Sequence, residues 1–301
     1  AKGPLPLSAG PMAIHIALTF DDNFWAPAYT VARSICLTTK RRAELVIHFC
    51  HVGLSAVHRA DLDALAGEFA QSQFVFHAMD ENAEFAAICA KLPQGKRFPS
   101  IVYTRLMLNH VLPPEVNRVI YLDCDTLVLA PIERLYEQDM KGQPIAAVAD
   151  PFRLHIMMGR DIRSKAGIFD PADDYFNSGV LLIDLKRFAE IDVPGRLEEL
   201  RAAGTLRRLY YDQDMLNLIF RGKWTELEWR FNCIDPWFAQ QALNPYIIHY
   251  TGNNRPWHIL NLVAFRNIYR HVMTNELYYR FWRHNLKRKW QKRLGRLLGR
   301  K

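Results

Sequence analysis

Two aspartates one residue apart, Asp123 and Asp125, follow the apolar run Asn117–Leu122 (NRVIYL). Side chains of an extended segment alternate between faces, so residues i and i+2 point the same way and two carboxylates can approach one hard divalent cation. Cys124, between them, faces the opposite side. His249 closes a second apolar run and precedes Tyr250-Thr251-Gly252, where its imidazole can add a nitrogen ligand. Two carboxylates and one imidazole suit Mn²⁺ or Mg²⁺ better than Ca²⁺. Alone, an Asp-x-Asp pair is a weak signal, because such pairs are common in turns and solvated loops. A lone histidine is most often structural. The strand before the pair raises it above that background, since open α/β sheets place ligands at the carboxyl ends of their strands. His48, Cys50 and His51 also cluster, but alternation splits them between faces and no fourth ligand is near, so they read as structural.

Such a pair needs a sheet behind it. Residues Ile14–Phe20 (IHIALTF) read as a buried strand, followed by Asp21-Asp22-Asn23 and a helix from Trp25 to Leu37. The unit repeats with strands at Leu45–Cys50 and Phe74–His77 around a helix Ser55–Ala70 opened by a serine cap. A helix over Ser100–Val111 ends before Pro113-Pro114. Further strands are expected at Pro144–Ala149, Ser178–Asp184 and Tyr246–His249, with a helix at Gln213–Phe220. This alternation predicts an α/β fold with a mostly parallel central sheet. No solenoid period or low-complexity stretch interrupts it.

The chain has 301 residues, half of them hydrophobic and 23% charged, enough for one large domain. We place that domain at residues 12–275 and a tail at 276–301. Residues 1–11 contain no apolar core of a secretory signal, and Met12 reads as a native start behind a vector-derived remnant. No window approaches the roughly 18 apolar residues of a spanning helix. Five widely spaced cysteines without a C-x-x-C pair argue against a disulfide framework and fit a reducing cytoplasm.

The net charge of +8 invites a nucleic-acid reading, which its distribution rejects. Ten of the 39 Lys and Arg residues stand between 280 and 301 with no acid among them, leaving 29 bases against 31 acids elsewhere. Within that tail Trp282, Leu286, Trp290, Leu294, Leu297 and Leu298 recur at helical spacing as one apolar stripe among bases. This is the pattern of a helix lying in the plane of an anionic membrane surface, with tryptophans at the interface. A solvated, frayed terminus is the bland alternative.

No G-x-G-x-x-G, P-loop, H-E-x-x-H or G-x-S-x-G motif is present, so dinucleotide, P-loop, zincin and α/β-hydrolase readings lose their main support. The stretches that remain, in order, are Phe20-Asp21-Asp22-Asn23, Tyr103-Thr104-Arg105-Leu106, Tyr121-Leu122-Asp123-Cys124-Asp125, Tyr175 to Leu182 (YFNSGVLL), Asp212-Gln213-Asp214, and His249-Tyr250-Thr251-Gly252 through Arg255-Pro256-Trp257-His258. With this ordered set the sequence resembles the retaining glycosyltransferases of family 8, particularly the bacterial lipooligosaccharide and lipopolysaccharide galactosyltransferases. The resemblance runs from about Ile14 to His258, and the basic tail is similar to that of the bacterial members.

The resemblance implies a GT-A-like nucleotide-diphospho-sugar transferase fold and a UDP-sugar donor, UDP-galactose or UDP-glucose. It implies that Thr19, Asp21 and Asn23 contact the uridine, with Cys124 in the same donor-binding set. Asp123, Asp125 and His249 would bind Mn²⁺, or Mg²⁺, against the pyrophosphate. Arg255 stands where the family carries a phosphate-contacting lysine, and Gly252 would let the backbone approach phosphate. Arg105, Asp150, Asn177, Ser178, Asp212 and Gln213 match positions around the donor sugar, with Gln213, Asp212 and Asp150 nearest the chemistry. Tyr210 and Thr251 lie where the acceptor, a glycolipid oligosaccharide, would enter. Retention also comes from the resemblance: a double displacement would use Asp212 or Asp214 as nucleophile, and a front-face route would use the carbonyl dipole of Gln213. The latter is favoured here. The implied location is cytoplasmic, peripheral on the inner face of a bacterial inner membrane.

Two rival readings remain. Asp123-Cys124-Asp125-Thr126 after an apolar strand also fits a haloacid-dehalogenase-type phosphatase with Asp123 as nucleophile. Against it, about a hundred residues of α/β sequence precede the motif, and Asn177-Ser178-Gly179 and His249 would go unexplained. A non-catalytic, membrane-tethered sugar-nucleotide binding module would keep Asp123 and Asp125 without an acceptor cleft.

Overall fold

The structure, a computed structural model, describes residues 13–93, 100–151, 167–170, 172–209 and 211–297. The apolar runs form strands β1 (Ile14–Asp21), β2 (Leu45–Val52), β3 (Gln73–Ala78), β4 (Arg118–Asp123), β5 (Thr126–Val128), β6 (Ile145–Ala149), β7 (Phe176–Asp184), β8 (Trp224–Glu226), β9 (Cys233–Ile234) and β10 (Ile247–His249). Seven of them make one sheet in the order β3-β2-β1-β4-β7-β6-β8. β1 lies parallel to both β2 and β4, while β7 runs antiparallel to β4 and β6. The fold is α/β with a mostly parallel central sheet, as expected.

Both faces of the sheet are covered at its centre, which is why β1, β4 and β7 are mostly buried and apolar rather than alternating. Ile16 and Leu18 of β1 join Ile120 and Leu122 of β4 in one core, and Ala17 joins Val119 and Tyr121 in the other. The helix Trp25–Thr38 supplies Val31, Ala32 and Ile35 to the first core, and the helix Tyr211–Ile219 supplies Met215 and Leu216 to the second. Ser55 caps the helix Ala56–Glu68 by accepting from the His58 amide. All five cysteines are buried, and none forms a disulfide.

A smaller sheet, β5-β10-β9, hangs from the end of β4. Its register pairs His249 with Thr126 and Ile248 with Leu127, so β10 delivers His249 beside the Asp123–Asp125 turn.

One expectation changes. The segment expected as one helix over Ser100–Val111 is a 3₁₀ helix, Ser100–Leu106, followed by a single α-turn, Leu108–Val111. The helix Asn275–Leu297 buries Leu277, Tyr278 and Phe281, and the Phe281 ring meets Trp25 edge-on at 5.1 Å. Arg280 pairs with both oxygens of Asp61 at 2.8 Å. These contacts make the first two turns part of the core, because the face bearing 277, 278 and 281 has an aromatic partner. Beyond them Trp282, Leu286, Trp290 and Leu294 are exposed. Leu298 lies outside the described residues. Among the described residues no helix is long and apolar enough to cross a membrane.

Candidate active site

β4 ends at Asp123, and a tight turn through Cys124 and Asp125 leads into β5. Asp125 is therefore placed by a turn and not by the alternation of an extended strand. The turn is held where Thr126 Oγ1 donates to the Asp123 carbonyl (2.8 Å) and the Tyr250 amide donates to the Asp125 carbonyl (3.0 Å). Cys124 faces inward as expected, its thiol 3.4 Å from the Thr19 carbonyl. Only its backbone can face a donor.

One ligand atom each from Asp123, Asp125 and His249 falls within 4.8 Å of the others. Nε2 of His249 lies 3.2 Å from Asp125 Oδ1 and 3.7 Å from Asp123 Oδ2. The remaining oxygen of each carboxylate is occupied by an arginine: Arg105 Nη2 donates to Asp123 Oδ1 at 2.6 Å, and Arg255 Nη1 bonds Asp125 Oδ2. Asp125 Oδ1 is buried and accepts no hydrogen bond. A buried acceptor without a donor is costly unless something else satisfies it. Gly179 on β7 keeps the space beside these atoms open, since a Cβ there would stand 2.7 Å from Asp123 Oδ2 and 2.8 Å from His249 Nε2. The donor set, the orphaned oxygen and the missing Cβ all fit a divalent cation at this point.

The electrostatics agree with that arrangement. Burial alone would raise the Asp125 carboxyl, but the charges of Arg255 and His249 outweigh it and hold it at about 2. Burial would lower His249, and the two aspartates reverse the effect and raise it. Arg105 is wholly enclosed and kept charged against burial by Asp123 and Asp212. It stacks on Tyr121 at 4.4 Å, forms an ion pair with Asp212 Oδ2 at 3.0 Å and donates to Ser178 O at 2.8 Å, and so ties three segments together. Burial raises the Asp212 carboxyl, which Arg105 opposes without cancelling.

Around this centre the site residues read from the sequence are mostly brought together. Asp150 Oδ2 accepts from Gln213 Nε2 (2.8 Å) and from Asn177 Nδ2 (3.2 Å). Gln213 Oε1 in turn accepts from the Ser178 amide at 3.2 Å. Thr19 Oγ1 lies 2.9 Å from Tyr121 Oη, which donates to Asp123 Oδ1 at 2.8 Å. A phenol has one proton, so Thr19 is the donor of the first bond. Asp21 accepts from the Asn23 amide at 3.0 Å and from its Nδ2 at 2.8 Å, shaping the loop after β1. Thr251 and Gly252 are held by Asp235, whose amide donates to the His249 carbonyl (2.8 Å): Thr251 Oγ1 donates to Asp235 Oδ2 (2.7 Å) and the Gly252 amide to Asp235 Oδ1 (3.2 Å). Tyr210 lies outside the described residues. Asp214 is fully buried and accepts from Tyr175 Oη at 2.6 Å. It faces the core, which removes it as a nucleophile.

A glycosyl transferase family 8 model matches residues 15–260. The chain belongs to this family. It is a glycosyltransferase, and the phosphatase reading of Asp123 falls. A probable galacturonosyltransferase-like protein of Arabidopsis thaliana is 26% identical over 276 residues, covering 85% of this chain and 74% of that one. A lipopolysaccharide 1,3-galactosyltransferase of Salmonella typhimurium is 24% identical over 255 residues, covering 81% and 73%. Among solved structures, the galactosyltransferase LgtC in complex with donor and acceptor sugar analogues superposes with a TM-score of 0.70 at 24% identity, over 86% of this chain and 95% of that one. At that identity the likeness shows the fold, a GT-A-type sheet.

Sequence reasoning missed four residues of the glycosyltransferase site. Tyr121 reads as a core position of β4, and Gly179 is one glycine in a longer matched stretch. Asn232 and Asp235 belong to no motif. Their signal is polar residues flanking the two-residue apolar strand β9, which pairs with β10 beside His249.

Proposed function

We propose that this glycosyltransferase transfers a hexose, galactose or glucose, from a UDP-sugar to the oligosaccharide of a lipopolysaccharide or lipooligosaccharide core, with retention of configuration and with Mn²⁺ or Mg²⁺ at Asp123, Asp125 and His249. The observation that carries the reading is the convergence of Asp123 Oδ2, Asp125 Oδ1 and His249 Nε2 on one point while arginines hold the other two carboxylate oxygens. A divalent ion held there neutralises the charge that grows on a departing diphosphate. Arg255 adds a positive charge to the same edge, where it can meet phosphate when released from Asp125.

On the sugar side, Gln213 is oriented by its own bonds. Its Nε2 is spent on Asp150 and Tyr175, so its carbonyl faces Asn177 and Ser178. That fixed dipole supports the front-face route, in which an oxocarbenium-like centre is steadied without a covalent intermediate. Asp212 is already bound to Arg105 and Ser178 Oγ, which leaves it poorly placed to attack. Arg105 keeps Asp123 and Asp212 in fixed relation, a preorganisation that costs no rearrangement during reaction. The acid-free end of the C-terminal helix, with Trp282, Leu286, Trp290 and Leu294 exposed, supports attachment to an anionic membrane, as a glycolipid acceptor requires. The corresponding location is the cytoplasmic face of a bacterial inner membrane.

The test is hydrolysis and transfer with UDP-galactose, UDP-glucose and UDP-galacturonate, with and without Mn²⁺, followed by assignment of the product anomer. Metal-dependent turnover of a hexose donor with α product is expected. Equal rates in chelator and in Mn²⁺, or an inverted product, would overturn the reading.

A further inference from the structure

The segments that follow β9 and Trp257 carry an apolar surface that the donor site does not use. Trp237, Leu260 and Leu262 are 81%, 91% and 81% exposed. Phe238 and Leu262 line one groove of about 460 Å³ together with Ile268 and Arg266. Trp237 is presented by an ordered element, the 3₁₀ helix Phe238–Leu243, with its amide donating to Gln240 Oε1 at 2.6 Å. Contiguous exposed apolar surface of this kind marks a contact with something else.

Charge and position indicate what that is. Arg266 donates from Nη2 to the Ile259 carbonyl at 2.7 Å, while its buried Nε has no partner. No carboxylate among the described residues pairs with it. The lobe is continuous with the C-terminal helix: Trp257 meets Phe281 at 6.1 Å. Lys289 is also close enough that, after burial, its charge is the next cause lowering the His258 imidazole. A second copy of the chain docking here would bring two basic helix ends, acid-free from Arg280 on, together, and like charges oppose that.

We infer that this lobe is a second membrane-contacting element: Trp237, Leu260 and Leu262 enter the headgroup–acyl boundary of an anionic bilayer and Arg266 meets a lipid phosphate. The inference rests on the membrane reading of the tail and adds a second point of contact to it. Exposed tryptophan and leucine beside a guanidinium are the chemistries met on entering such a surface. Two contacts on one rigid body also set the angle at which the donor cleft faces the membrane, which a single terminal helix does not.

The experiment uses the full chain with vesicles of phosphatidylglycerol and phosphatidylcholine, and with vesicles of phosphatidylcholine alone. Because the native cysteines are buried, Leu260→Cys takes a thiol-reactive environment-sensitive dye selectively. Its emission should shift to the blue and strengthen on the anionic vesicles. The double variant Leu260→Glu, Leu262→Glu should sediment with them at least tenfold less at equal lipid, with the wild-type melting temperature. An unshifted dye on protein that still sediments would overturn the inference, whatever the double variant does. So would a wild-type dimer that the double variant makes monomeric with vesicle binding unchanged. The variant Trp290→Glu, Leu294→Glu separates the two readings: loss of binding there alone, with the lobe variant intact, leaves the tail reading standing and removes the lobe.

Discussion

Nδ1 of His249 donates to Oδ1 of Asn232 across 3.0 Å, and Asn232 Nδ2 donates to Asn177 Oδ1 at 2.9 Å. Because the Asn232 amide is committed on its other side, its oxygen must face the imidazole. That assigns the proton of neutral His249 to Nδ1 and leaves the Nε2 lone pair aimed at Asp123 and Asp125. Asn177 also reaches Asp150, so one line of amides links the histidine to the Gln213 end of the site. Asn232→Ala should weaken Mn²⁺ binding by roughly 10–100-fold, the usual cost of removing the partner of a ligating histidine. Asn232→Asp, which keeps the acceptor, should lose less. Titration of Mn²⁺ at fixed UDP checks both, and equal affinities in the Ala variant and wild type would remove the role.

Gly179→Ala should abolish metal-dependent UDP binding while leaving the fold. Its Cβ would lie 2.1 Å from His249 Cε1 and 2.7 Å from Asp123 Oδ2, so one or both side chains must move. Overpacking of this sort costs about 1–3 kcal/mol. A cooperative melt at modestly lower temperature with no Mn²⁺-dependent UDP affinity is the expected pair of results. Retained affinity would show that the ligand cluster tolerates displacement.

Strands β1, β2 and β4 were legible because apolar residues on both faces leave little competing pattern, and the strand-end rule pointed directly at Asp123. The joining of His249 to that site was not legible in the same way. It depends on the pairing of His249 with Thr126 across more than a hundred residues, and a three-residue strand has too little periodicity to declare a register. Asp125 is placed beside Asp123 and His249 by a turn and not by the strand alternation expected for it. Asn232 and Asp235 act only through partners brought close by β9 and β10. In the C-terminal helix, helical spacing alone does not separate the buried Leu277, Tyr278 and Phe281 from the exposed stripe; the contact of Phe281 with Trp25 does.

His15, His48 and His77 form a ladder across β1, β2 and β3, with His15 Nδ1 3.0 Å from His48 Nε2 and His48 Nδ1 3.0 Å from His77 Nε2. Burial, and then the neighbouring imidazoles, push His48 down to about 3; burial also lowers His15, which Glu115 opposes, and His77. These groups are neutral when folded, so below the ordinary histidine value of about 6.5 the unfolded chain binds more protons and stability falls as pH falls. Acidification from pH 7 to 5 should cost of order 2 kcal/mol through His48. His249, raised by its aspartates, works in the opposite direction. His48→Leu should therefore be less stable at pH 7 yet lose less on acidification. Urea unfolding of both proteins at the two pH values measures the difference, and parallel losses would place the sensitivity elsewhere.

Where the C-terminal helix is cut should decide between two outcomes. Asp61 receives Arg280 through both guanidinium nitrogens and also accepts from Trp25 Nε1 at 3.0 Å, while Phe281 is 1% exposed against the Trp25 ring. Trp25 opens the helix directly after the Asp21–Asn23 loop, so these contacts support the proposed uridine side of the cleft. A chain ending at 285 keeps all of them and should melt like the full-length protein, with unchanged donor hydrolysis and at least tenfold weaker binding to anionic vesicles. A chain ending at 279 removes a buried aromatic side chain, a loss of about 3–5 kcal/mol, and leaves Asp61 without its arginine. It should melt several degrees lower, by roughly the 2–4 °C per kcal/mol that domains of 150–250 residues show, and raise KM for the donor more than it lowers kcat. Equal melting temperatures for the two chains would mean that the first turns of this helix are not part of the core.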